Sequence, residues 1–128
     1  MRAARPVWSG VIRLTLLLLA AAALLLGAAA PADAARFTGT VGPDRTIILK
    51  KRNGTIVRTV APGVHTFVIR DRSDVHNFVI SRGTTRLRGT TLEFQGQVTW
   101  GIRIRRGAVY RYSCSAHRAT MTRSFRVS

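Results

Sequence analysis

A chain of 128 residues is long enough for one small domain and short for two, and with 21 basic against 5 acidic side chains it carries a net charge of +16. Its single cysteine excludes an internal disulfide, an iron–sulfur cluster and a C-x-x-C-H haem attachment. The charge itself favours anionic partners and solubility; it does not specify a fold.

The chain opens on "MRAARPVWSGVIR", with Arg2, Arg5 and Arg13, and continues into the uncharged run Leu14 to Ala30 and then "PADAAR". A basic start, an apolar middle and small residues at a cut site are the layout of a secretory signal, with Ala32 and Ala34 forming an A-x-A site. The expectation is a signal helix over 1–34 and one domain over 35–128, working outside the cytoplasmic membrane. The alternative is a retained membrane anchor, since seventeen uncharged residues sit at the short end of a bilayer span. Beyond residue 34 the chain keeps 18 basic and 4 acidic residues, and all the basic ones except Lys50 and Lys51 are arginine.

From residue 40 onward the pattern is short runs of β-branched and aromatic residues closed by Gly, Asn, Asp or Pro, with no helical period. "TIILKK" and "TIVRTV" read as a hairpin across Asn53-Gly54, whose turn accepts positive φ. After the "APG" turn, "VHTFVIR" places His65, Phe67 and Ile69 on one face. "DRSD" reads as a turn, "HNFVI" as the next strand, and 81–97 as an irregular stretch with "LEF" a short edge strand. "QVTWGIRIRRG" alternates Val98, Trp100, Ile102 and Ile104 inward, "AVYRYSC" puts Tyr110, Tyr112 and Cys114 on one face, and "RSFRVS" pairs Phe125 with Val127. Seven or so strands in this length predict an all-β sandwich, with Phe67, Phe78, Trp100, Tyr110 and Phe125 in its core.

The lone thiol carries the functional question. In an oxidising compartment an unpaired cysteine is bridged to another molecule, left reactive, or bound to something. Cys114 ends one strand, Met121 precedes the last, and His117 lies between them, so a loop folding back can point all three side chains at one centre. His76, at the head of "HNFVI", is the fourth donor. One thiolate, two imidazoles and a thioether suit copper; zinc takes more thiolates or a carboxylate and seldom methionine. Alone, Cys114 and Met121 would read as core residues and His76 as a surface residue; His65 reads as structural.

"HNFVI" followed by "YSCSAHRATMTRSFRV" resembles the plastocyanin/azurin family of cupredoxins, above all small exported domains ending in C-x-x-H-x-x-x-M and a short strand. The likeness extends over most of residues 38–128. It implies a Greek-key sandwich, one mononuclear type 1 copper, equatorial ligands His76, Cys114 and His117, and axial Met121. It further implies that Asn77 hydrogen-bonds near the ligand loop and that the His117 ring serves as the electron's door, with Arg118 facing the partner. Two departures stand out: three residues separate His117 from Met121, and "CSAH" lacks the proline that plastocyanins place before this histidine.

The expected function is single-electron carriage between redox partners, without catalytic residues, by a monomer that binds no small-molecule substrate. The basic surface suits an acidic partner protein or another anionic surface. Three histidines cannot supply the further pairs of a multicopper oxidase or nitrite reductase. A copper chaperone or storage domain, and a copper-free basic sandwich binding an anionic polymer, are the other classes. Specific nucleic-acid binding is not expected, because no aromatic platform interleaves with the arginines.

Overall fold

The computed structural model describes residues 34–128; the signal segment and the question of its cleavage lie outside these residues. Nine strands follow one another: β1 (Arg36–Val41), β2 (Ile47–Lys50), β3 (Thr59–Val60), β4 (Gly63–Asp71), β5 (Val79–Arg82), β6 (Thr85–Gly89), β7 (Gly96–Ile104), β8 (Tyr110–Ser113) and β9 (Thr122–Val127). They form a four-stranded sheet ordered β2-β1-β4-β7 and a five-stranded sheet ordered β3-β9-β8-β5-β6. Among the described residues there is no helix, and the all-β expectation holds.

Alternation decides which face of each strand meets the other sheet. Along β4, His65, Phe67, Ile69 and Asp71 are buried on one face; along β7, Trp100, Ile102 and Ile104 are. Opposite them β8 contributes Tyr110 and Tyr112 and β9 Phe125, with Tyr110 stacked on Phe125 at 5.3 Å and Phe78 on Tyr112 at 5.4 Å. Offset aromatic pairs of this kind add to the free energy of simple area burial. All five aromatic residues expected in the core are there.

Three local expectations are corrected. The turn at Asn53-Gly54 forms, with Gly54 at φ 84° and its N–H on the Lys51 carbonyl at 3.0 Å, but the hairpin ladder does not continue. Only an isolated bridge joins Lys50 to Ile56; β2 pairs instead with β1, and β3 pairs with β9 in the other sheet. Val57 and Val60 are both buried three positions apart, an odd spacing that no regular strand can bury on one face, so the chain changes sheets between them.

The stretch 81–97 is more ordered than its polarity suggests. Gly83 at φ 56° turns β5 back into β6, with a register shift between Ile80 and Ser81. "LEF" is a turn, not a strand, and β7 starts after it at Gly96. Finally, β1 escapes pattern reading because Gly39 interrupts its inward face of Phe37 and Val41. A Cβ on Gly39 would lie 2.6 Å from Ile69 Cδ1 and 2.8 Å from Phe78 Cζ, so that position has room only for hydrogen.

Candidate metal centre

The loop from β8 to β9 is closed by its own backbone. The Cys114 N–H donates to the Met121 carbonyl at 3.0 Å, and the Met121 and His117 N–H groups donate to the His117 and Cys114 carbonyls at 2.8 and 3.2 Å. These bonds fold six residues into a tight return that holds Cys114, His117 and Met121 side by side. Antiparallel pairing of Ser113 with Thr122 fixes where the return begins.

His76 arrives from the loop between β4 and β5, where the Ser73 hydroxyl accepts the N–H groups of Val75 and His76 at 3.2 and 3.1 Å. That short turn seats the imidazole opposite the thiol. The His76 Nδ1 lies 3.8 Å from Cys114 Sγ, the His117 Nδ1 3.6 Å from the same sulfur, and the two Nδ1 atoms 3.1 Å apart. The three ligand atoms converge on one point, and Met121 lies near them.

These distances test whether the residues fit a metal ion. A triangle with sides of 3.1, 3.6 and 3.8 Å has its centre about 2 Å from each corner, close to the ~2.0–2.3 Å of metal–nitrogen and metal–sulfur bonds. Three lone-pair donors so placed share at most a proton between two of them, whereas one cation satisfies all three. His76, Cys114 and Met121 are buried and His117 is half-buried, so the cluster meets solvent through the His117 ring. A thiolate, two imidazoles and a thioether suit copper on grounds of softness.

A polar network holds the two loops together. The Asn77 Oδ1 accepts from the Ser115 N–H at 2.8 Å and its hydroxyl at 3.1 Å, while its Nδ2 donates to the Thr90 carbonyl at 3.0 Å. The Thr90 hydroxyl accepts from the Phe78 N–H at 2.9 Å and donates to Asp71 Oδ2 at 2.9 Å. The Ser73 N–H completes the chain on Asp71 Oδ1 at 3.2 Å. Burial pushes the Asp71 carboxyl above the ordinary aspartate value, against the opposing effects of the Thr90 and Ser73 hydrogen bonds and of His76. Burial likewise raises the Tyr112 hydroxyl, on the strand that delivers Cys114.

The structure brings together His76, Cys114, His117 and Met121 and gives Asn77 the loop-closing bond expected of it. His65 stands apart: its Nδ1 accepts from the Ala35 N–H at 2.9 Å and its Nε2 donates to the Ala61 carbonyl at 2.7 Å. Asp71, Ser73 and Thr90 were not legible as parts of the site. For Asp71 a signal existed, since it extends the inward face of His65, Phe67 and Ile69 by one more alternate position, but "DRSD" reads as a turn.

No family model matches the chain, and no curated protein matches it. The fold is similar to that of reduced rusticyanin, at a TM-score of 0.59 and 15% identity over 77% of this chain and 81% of that one. A second rusticyanin structure, described as that of a copper protein, matches at 0.56 and 15% identity over 77% and 80%. A methionine-to-glutamine variant of rusticyanin matches at 0.54 and 13% identity, again over 77% and 80%.

Proposed function

Proceeding from the cupredoxin fold of the described residues, we propose that this protein is an exported type 1 copper protein that carries single electrons between redox partners. The observation that carries the reading is the convergence of Cys114 Sγ and two imidazole Nδ1 atoms at a spacing fit for one metal ion. His76, Cys114, His117 and Met121 would hold the copper, and the bound ion would supply a one-electron couple.

The chain's own residues do the rest. The Ser73 turn and the bonds from Asn77 to Ser115 hold the donors in place from two separate loops. A framework fixed from both sides would keep the donor atoms in place while a bound copper gained or lost an electron, which favours fast exchange. His117 is the one donor that is not buried, so its ring is the route by which an electron leaves, and the exposed Arg118 beside it meets the partner. An arginine-rich surface steers an acidic redox protein and releases it readily in salt. Export is supported by the basic start, the apolar run and the A-x-A site, after which β1 begins at Arg36.

Voltammetry of the copper-loaded protein tests this reading. It predicts a reversible one-electron couple that persists through repeated cycles and a copper that a chelator removes slowly. Rapid loss of copper to the chelator, without a reversible couple, would point to a chaperone or storage role instead.

A further inference from the structure

The lateral opening of the sandwich, away from the ligand loop, holds arginines where a β-sandwich normally has apolar side chains. β6 and β7 are the edge strands of their two sheets. Arg82 is the register partner of Tyr110 and Arg88 of Ile80, both fully buried, and cross-strand partners share a face. Both arginines therefore start from the core-facing side of the five-stranded sheet at its open edge, Arg82 half-buried there and Arg88 reaching out to solvent. Together with Arg103, Arg105, Tyr110 and Ile102 they line a cavity of about 280 Å³.

Of the donors lining this cavity, Arg88 Nη1 reaches the Leu87 carbonyl at 3.0 Å, whereas Arg82 is poorly matched. Arg82 Nε is buried without a hydrogen-bond partner, and its Nη2 reaches only the Arg106 carbonyl at 3.5 Å. The Tyr110 hydroxyl accepts the Arg105 N–H at 2.9 Å, which leaves its own proton free to donate toward the cavity. Among the described residues no carboxylate lines the cavity. A buried guanidinium nitrogen without an acceptor is costly, and the exposed Arg88, Arg103 and Arg105 add positive charge at the rim of the same cavity.

From this we infer that the cleft between the two sheet edges is a binding site for a phosphate-class oxyanion, held by Arg82, Arg88, Arg103, Arg105 and the Tyr110 hydroxyl. Guanidinium groups match tetrahedral oxyanions in geometry and charge, and a tyrosine proton adds one directed bond. The site is independent of the copper reading and uses none of the proposed ligands.

Calorimetric titration of the purified full chain with inorganic phosphate and pyrophosphate, at ionic strength held constant with chloride, tests the inference. A parallel arm measures association with phosphatidylcholine vesicles doped with phosphatidic acid. The expected result is one saturable site, weakened at least about tenfold in Arg82→Gln and in Arg88→Gln and unchanged in Arg126→Gln, an exposed arginine outside the cleft. Binding of the free anions identifies a soluble ligand. Association confined to the doped vesicles and lost in Arg82→Gln identifies a lipid headgroup. If Arg82→Gln does not fold, the exposed Arg103→Gln carries the comparison. Absence of saturable binding in both arms, or equal weakening by Arg126→Gln, would overturn the inference and leave these arginines as charged guards of an open sheet edge.

Discussion

Asn77 is the residue on which the two halves of the metal centre depend. Its side chain spends both polar ends on backbone groups, one in the ligand loop and one at Thr90, and it is buried. Asn77→Ala leaves the part-buried Ser115 N–H and the buried Thr90 carbonyl without these partners, and an unmet buried group such as the latter costs about 1–3 kcal/mol. We predict a lower melting temperature and an altered visible spectrum in the copper-loaded variant, read by calorimetry and absorption. Asp71 gives a test with a definite sign. Because burial raises its folded pKa, its contribution to stability is fully present below the unfolded aspartate value and is lost as pH rises through the folded one. Asp71→Asn should therefore flatten the pH dependence of melting in the window just above 3.8, provided the comparison is made on the copper-free protein. Gly39→Ala forces a methyl group against Ile69 and Phe78 and should destabilise by about 1–3 kcal/mol, measured by denaturant unfolding.

Among the elements, the return from β8 to β9 supplies three of the four donors, and its hydrogen bonds show why a short C-x-x-H-x-x-x-M stretch suffices. Met121 is buried at the end of that return. Met121→Leu keeps volume and so should cost under about 1.5 kcal/mol in stability. The same variant removes the thioether, so the copper should remain bound while its reduction potential shifts, as voltammetry would show. Local pattern revealed this element in the sequence because cysteine, histidine and methionine are rare and close together. It failed for the segment joining β2 to β3, where the turn residues are right but the pairing is decided by Val57 and Val60 reaching opposite strands. It failed again at "DRSD", where Asp71 and Ser73 look like turn filler and act as acceptors for the loop that carries His76.

For the whole molecule, period-two alternation made the fold class legible and the soft donors made the centre legible, whereas sheet membership was not. β1 lies beside β4 in parallel and β3 beside β9, contacts between distant segments that leave no trace in local spacing. The net charge of +16 was visible at once and predicts electron-transfer rates with an acidic partner that fall as ionic strength rises, checked by stopped-flow at graded salt. All of this rests on His76 and the C-terminal loop closing around one ion. The most direct measurement is titration of the purified protein with Cu(II) while recording visible absorption. An intense thiolate-to-copper band should saturate at one ion per chain, bleach with ascorbate and be missing in Cys114→Ser. A colourless product, or a band that survives in Cys114→Ser, would contradict the account.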